Sequence, residues 1–425
     1  MSARRDPDKE FFACLAFRHA KGVGHKTWRT IFNAYDSAYE ALLDADAWPG
    51  KGLADRRRAN AVLNEGWREK ARAEYLAVRD ADMQVVCWHD NAYPDRLRNI
   101  MEPPALLYCR GDVSLLRNPS VAVVGARKCT HFGLESAERI SYELSSLGIT
   151  VVSGLALGID RQAHLAGLRG LGRSVAVLGA GMDQDYPSDN ADVREVLERR
   201  GCVVTEYPPG MRADPANFPF RNRIISGLSL GVVVAEAANR SGSLITARLA
   251  SEEGREVFAL PGPLGQPTFT GCHGLIKQGA ALVECAADIV EVLRYEFAGE
   301  LDMLPDAPPR GAEDPDALPG GVIRTASANR RKSSRPLKTA KAEPIDSVPR
   351  KSRQVPIRAA VVLDAEEQEL MDVLEESGKQ QVDSLCRSLG WPSGKTSRML
   401  LMLEMRGAVR QLPGMWYLAR ESEPI

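Results

Sequence analysis

No apolar run in the sequence approaches the ~18 residues of a bilayer crossing, which excludes a helical membrane span. The opening residues, MSARRDPDKEFF, carry charge but lack the uninterrupted apolar stretch of a secretory signal, so a cytoplasmic protein is expected. Cysteine is sparse and scattered: the eight residues at 14, 87, 109, 129, 202, 272, 285 and 386 form no CxxC pair and follow no regular spacing. That argues against a disulfide framework and against a zinc ribbon. Most lie in apolar runs such as Val85-Val86-Cys87-Trp88, where cysteine behaves as a small buried hydrophobe. An excess of either charge is missing too, with 55 Lys and Arg against 56 Asp and Glu and a net charge of -1. The chain therefore does not bind polyanions over its whole surface, and any nucleic-acid site is confined to a patch.

What is present is an ordinary globular composition, 44% hydrophobic and 26% charged over 425 residues, enough for roughly two to four domains. Residues 1–82 read as a small all-α unit, with Leu15, Trp28, Ile31, Phe32, Leu42 and Leu43 at helix-like spacings. Within it, Lys21-Gly22-Val23-Gly24-His25 separates two helical stretches. It is either the turn of a helix-hairpin-helix, whose amides can face a DNA phosphate, or a glycine stop at a helix end. Residues 83–301 alternate short apolar runs with amphipathic segments, and strands are expected at 84–88, 105–109, 121–125, 150–153, 174–178, 202–206, 231–235 and 256–260. Such alternation predicts an enlarged Rossmann-like, doubly wound α/β sheet, mainly parallel and covered on both faces. Residues 302–359 are rich in Pro, Ala, Ser and basic side chains and are expected to be a flexible linker. Eleven Lys or Arg within 324–358 face only Glu343 and Asp346, a local charge of +9 that leaves about -10 for the rest. In 360–425, helices at 365–375, 381–389 and 393–405 precede a hairpin with its tip at Leu412-Pro413-Gly414, the order of a winged helix.

Four segments carry candidate chemistry. In Val121-Ala-Val-Val-Gly-Ala-Arg127 a strand ends at Gly125, where the backbone can approach a ligand, and Arg127 offers a charge-assisted phosphate contact beside the next helix N-terminus. The dinucleotide fingerprint GxGxxG is absent, because Ala126 and Arg127 follow Gly125, and this weakens a nicotinamide-cofactor reading. A second turn, Ser153-Gly154 to Asp160, would flank the first. Asp160 and His164 share a helix face, but with no third ligand at a recognisable spacing they read as a cap and a packed histidine. Third, Asn217-Phe218-Pro219-Phe220-Arg221-Asn222-Arg223 crowds rings and guanidinium groups, the pairing that holds single-stranded nucleic acid by stacking and phosphate contact. A place in the core is an equal alternative for either ring, and Arg221 and Arg223, two residues apart, cannot both point along one helix face. Fourth, Glu236 precedes Ser241-Gly242-Ser243 and Thr246, which offer amides and hydroxyls to a phosphate. No second carboxylate, Ser-His-Asp order or metal cluster accompanies Glu236.

In order, these segments resemble the DNA-processing protein A (DprA, or Smf) family: PPALLYCRGD at 103–112, VAVVGARKCTHFG at 121–133, SGLALGIDRQAH at 153–164, AVLGAGMDQDYP at 176–187, FPFRNRIISGLS at 218–229, SGSLITARLASEEGREVFALPG at 241–262 and GCHGLIKQGA at 271–280. The flanking helical unit, SAM-like in kind, and the winged helix also fit that family's arrangement. The resemblance implies a non-enzymatic, cofactor-free mediator of natural transformation and recombination. Such a protein binds incoming single-stranded DNA, dimerises through the Rossmann-like domain and helps to load the RecA recombinase in the presence of single-strand-binding protein. It also implies a binding pocket built from Gly125, Ala126, Arg127, Ser153, Gly154, Phe218, Phe220, Arg221, Asn222 and Arg223, to which the fourth motif adds Ser241 and Gly242 as phosphate donors. The sequence departs from the family pattern at Ala126, where Ser or Thr is frequent, at Thr130-His131-Phe132, and at His273 in a usual Asn position.

Two readings of other classes stand beside this one. A nucleotide-processing hydrolase would use Glu236 as acid or base. A duplex-binding protein would work through the winged helix, with Lys395, Arg398 and Arg406 on its third helix and Arg410 on the wing.

Overall fold

Asp6 opens the first helix: its carboxylate accepts the Asp8 amide at 3.0 Å, and Pro7 follows where no intrahelical amide bond is needed. The resulting α1 (Pro7–His19) leads through α2 (His25–Phe32), α3 (Ala38–Leu43), α4 (Arg56–Leu63) and α5 (Arg68–Asp80), the expected helical unit. Its centre is aromatic, with the Phe17 ring 4.7 Å from Phe32 and 5.5 Å from Trp48. The computed structural model describes residues 6–64, 66–301 and 365–391, and beyond these 393, 396, 399, 400, 403, 408–412 and 416–419. The chain divides into two compact units, Met1–Ala317 and Leu318–Ile425.

In the first unit a nine-stranded sheet follows the helices. Its strands are β1 (Gln84–Cys87), β2 (Leu106–Gly111), β3 (Ser120–Val124), β4 (Thr150–Ser153), β5 (Ser174–Val177), β6 (Cys202–Thr205), β7 (Gly231–Val234), β8 (Glu256–Ala259) and β9 (Ala281–Leu282). Each of the eight expected strands is present with ends shifted by a residue or two, and β9 is additional. The spatial order is β1-β2-β6-β5-β4-β3-β7-β8-β9. Neighbours from β6 to β9 run parallel, whereas β1–β2 and β2–β6 are antiparallel. The helices are α6 (Asp95–Arg98), α7 (His131–Ser146), α8 (Ile159–Gly167), α9 (Ala191–Arg200), α10 (Asn217–Leu228), α11 (Ser243–Glu252), α12 (Thr270–Lys277) and α13 (Ala286–Leu301). They cover both faces, so β3 to β7 are buried along their length and read as continuous apolar runs. Val123, Ile140, Val151, Ile159, Val233 and Phe258 belong to one core between sheet and helices.

The strand order has one consequence for function. From β3 the chain moves outward through β4, β5 and β6, and from β7 it moves the opposite way through β8 and β9. The loops leaving β3 and β7 therefore diverge and open a crevice at the carboxyl edge of the sheet, where doubly wound folds hold ligands. The N-terminal helices are joined to this body by the Trp28 indole, which donates to the Pro103 carbonyl at 3.2 Å, and by Arg18, which donates to the Glu206 carbonyl at 2.6 Å.

The second unit contains α14 (Ala365–Ser377), β10 (Gln380–Gln381), α15 (Val382–Leu389) and the antiparallel pair β11 (Val409–Leu412) and β12 (Trp416–Ala419), with β12 central in its sheet. Leu370, Leu374, Leu385, Leu400, Leu403 and Tyr417 form its core. At 393, 396, 399, 400 and 403, within the third expected helix, the backbone is helical, and Thr396, Leu400 and Leu403 are buried. The expected linker 302–359, Lys395, Arg398, Arg406, and Pro413-Gly414 of the hairpin tip lie outside the described residues.

Candidate nucleic-acid interface

The loop after β3 is fixed by its backbone. The Ala126 amide donates to the Glu236 carbonyl at 2.8 Å, and the Ala126 carbonyl accepts the Ile159 amide at 3.3 Å, which ties β3, β7 and α8 together at the crevice floor. Gly125 is required here, since a Cβ would sit 2.6 Å from the Ile159 side chain. Arg127 is exposed at the mouth, its guanidinium carbon 5.9 Å from the centre of the Phe218 ring.

Phe218 is half-buried, and its ring lies against Gly179, where a Cβ would approach to 2.8 Å. On another side is Tyr186, 39% exposed, with ring centres 5.3 Å apart at a 39° tilt. Arg127, Phe218 and Tyr186 thus present one cation and two partly open rings together. Tyr186 lies in the DQDYP segment and is not among the expected site residues, because nothing local in the sequence places it beside a ring 32 positions later. Phe220 turns elsewhere, towards His25 at 5.7 Å and the Arg223 guanidinium at 4.1 Å. It belongs to the seam with the N-terminal helices.

Several residues of the expected pocket serve the protein's own framework instead. Ser153 is fully buried, and its hydroxyl donates to the Val123 carbonyl at 2.7 Å. The Gly154 amide donates to Asp160 at 3.1 Å, and the Gly154 carbonyl accepts from Arg221 at 2.9 Å. Arg221 also donates to the Val177 carbonyl and so braces the ends of β4 and β5 against α10. Burial lowers its pKa to about 10, opposed by the nearby Asp160 carboxylate. Arg223 is buried in an ion pair with Glu206. Of the two arginines expected to face phosphate from this helix, neither is at the surface, because α10 is enclosed almost all round. Asn222 is half-buried between them. Ser241 and the exposed Gly242 lie in the loop before α11, with the Ser241 and Ser243 hydroxyls 2.7 Å apart.

The helix N-terminus offered to a phosphate by the first motif already has an anion. Glu236 is fully buried, and its carboxylate accepts from the Thr130 amide at 2.9 Å and the Thr130 hydroxyl at 2.8 Å, at the start of α7. Gly133 makes room for it, since a Cβ there would run into the carboxylate. Glu236 therefore acts as a staple between β7 and α7, away from solvent, and not as an open acid or base. His164 is likewise internal: Nε2 accepts the Leu155 amide at 3.2 Å and Nδ1 faces the Ser174 hydroxyl at 2.8 Å. Burial first and then the Arg221 charge lower its pKa to about 3, so the imidazole is neutral. Together with Asn190, which donates to the Leu155 carbonyl at 2.8 Å, it holds Leu155 at a φ of +55° in the turn beside the crevice. Among the described residues no cluster of His, Cys, Asp and Glu could hold a metal ion.

The sequence model of DNA recombination-mediator protein A matches residues 84–294, and that of the DprA winged helix domain matches 354–415. Protein Smf of Synechocystis sp. is 34% identical over 425 aligned positions, covering 96% of this chain and 98% of that protein. The chain belongs to the DNA-processing protein A family. DNA processing protein DprA of Streptococcus pneumoniae is 45% identical over 208 residues, 49% of this chain and 73% of that protein. The X-ray structure of DprA from S. pneumoniae superposes with a TM-score of 0.59 at 35% identity, covering 68% of this chain and 98% of that one. Three of the positions that depart from the family pattern have local roles. Ala126 acts through its backbone, Thr130 retains a hydroxyl for Glu236, and the His273 Nε2 donates to the Gly262 carbonyl at 3.0 Å.

Proposed function

We propose that this chain is a single-stranded DNA-binding recombination mediator of natural transformation, one that protects incoming DNA and loads RecA onto it, and that it is not an enzyme. The observation that carries this reading is the exposed Arg127 beside the Phe218–Tyr186 ring pair at the sheet's switch point. A cation beside two partly open rings suits a flexible strand whose bases can leave the stack, and does not suit a duplex whose rings are covered. Within the expected pocket, Gly125, Ala126, Arg127, Phe218, Ser241 and Gly242 form the contact surface of this proposal. Ser153, Gly154, Arg221 and Arg223 hold its walls. Family membership supports the further partners, RecA and single-strand-binding protein, a homodimer formed through the Rossmann-like body, and a cytoplasmic location. The domain borders proposed with it are 1–82, 83–301, 302–359 and 360–425.

Equilibrium binding to labelled oligo-dT and to a matched duplex across a salt series tests the reading. Wild type should prefer the single strand, and Arg127→Ala should weaken binding and flatten the salt dependence by about one unit of slope. Preference for the duplex, or indifference to Arg127, would reject it. RecA filament formation on strands coated with single-strand-binding protein then tests the loading step.

A further inference from the structure

A trough of about 700 Å³ runs between α1, α3, α4 and α5, in the N-terminal helices and remote in sequence from every residue of the crevice. Its walls are apolar, and they are not closed over: Leu43 is 68% exposed, Leu63 42% and Leu76 49%, with half-buried Phe12 and Tyr75 below them. Leucines scattered singly over a surface need no explanation, but three that converge on one concavity above two aromatic rings form a contiguous apolar surface. Among the described residues of the rim, the charges left open are of one sign. Lys9 and Arg72 are exposed there, and Lys9 rests over the Tyr39 ring at 5.4 Å. The acid among the described lining residues, Asp8, is already in an ion pair with Arg79.

We infer that this trough receives an amphipathic helix of a partner protein, with acidic residues flanking its apolar face. The walls are helices whose backbone groups are internally bonded, so no strand can add to them, and side chains inserted between the helices are the mode of recognition left. α1 extends for 13 residues, or ~20 Å, a length that matches about four turns of a docked helix. A second copy of this chain would bring the same basic rim against itself in a two-fold contact, which like-charge repulsion disfavours. A lipid surface is flat and cannot enter a concavity with leucines on its walls. The cationic rim selects an acidic helix over a basic one and sets its register.

The test uses the full-length protein and two fluorescent peptides of about 16 residues, each with leucines at i, i+3, i+4 and i+7. One carries glutamates and the other lysines beside the apolar face. The glutamate peptide should bind at least about tenfold more tightly than the lysine peptide. Leu43→Asp should weaken it by a similar factor, at a position exposed enough to leave the fold intact. Arg72→Glu should lose the glutamate peptide and gain the lysine peptide, a reversal that a merely structural role for Arg72 would not produce. The inference is overturned if both peptides bind alike or not at all, or if Leu43→Asp leaves binding unchanged. It is equally overturned if sedimentation shows a dimer abolished by Leu43→Asp, or if flotation shows capture by phosphatidylserine vesicles, since the trough would then belong to a second copy or to a membrane.

Discussion

Phe218 and Phe220 stand two positions apart on α10 and have different tasks, one at the crevice with Arg127 and Tyr186, the other at the seam with His25. Phe218→Ala should cost roughly 1–3 kcal/mol of oligo-dT affinity, and Phe220→Ala should show up chiefly in the melting temperature. Equal losses of affinity in the two variants would show that both rings meet DNA. His164 gives a second prediction at this scale. Its pKa is about 3 when folded against an ordinary 6.5, so between those values the unfolded chain binds a proton that the folded chain does not. Stability contributed by this residue is therefore complete above pH 6.5 and falls by about 1.4 kcal/mol per unit as the pH drops below it. Melting at pH 7 and 5.5 should show that slope reduced in His164→Gln, whose amide can still serve Leu155 and Ser174. Residue type does not tell Arg127, Arg221 and Arg223 apart, and the two-residue spacing says only that Arg221 and Arg223 do not share a helix face. Only the enclosure of α10 separates them, and enclosure arises from helices and strands far away in sequence.

At the scale of elements the sequence was legible where burial on both faces leaves an unbroken apolar run, as in β3, β4 and β7. The two-residue β9 is too short to leave any pattern, and the reversed direction of β2, antiparallel to both β1 and β6, is set by the path of the connecting chain, not by composition. The glycine-rich turns marked the carboxyl edge correctly as the place where strands meet helices. Which donors remained open there was not legible, because the anion at the start of α7 comes from β7, over a hundred residues later. That junction is testable. Gly133→Ala forces the Glu236 carboxylate away from Thr130, and losing charge-assisted bonds in a buried place should cost about 1.5–3 kcal/mol. Thermal unfolding measures it, and an unchanged melting temperature would mean that the staple contributes nothing.

For the whole molecule, the division into Met1–Ala317 and Leu318–Ile425 means that the crevice and every residue proposed to touch DNA lie within one unit. Removing residues 303–425 should therefore leave the preference for oligo-dT over duplex unchanged, although the +9 charge of 324–358 leaves with the deleted part and the salt dependence should weaken. Loss of single-strand binding in that truncation would shift the working surface to the winged helix.

The nine-stranded sheet closes at one rim with β9, only Ala281 and Leu282 long, beside β8. A wide sheet has its aggregation hazard at its rims, where unpaired amides and carbonyls can capture a strand from another molecule. At this rim a neighbouring chain would gain a ladder of two residues, too short to propagate. The brevity of β9 thus denies a neighbouring molecule the template it would need to extend this broad, apolar sheet from one chain into the next.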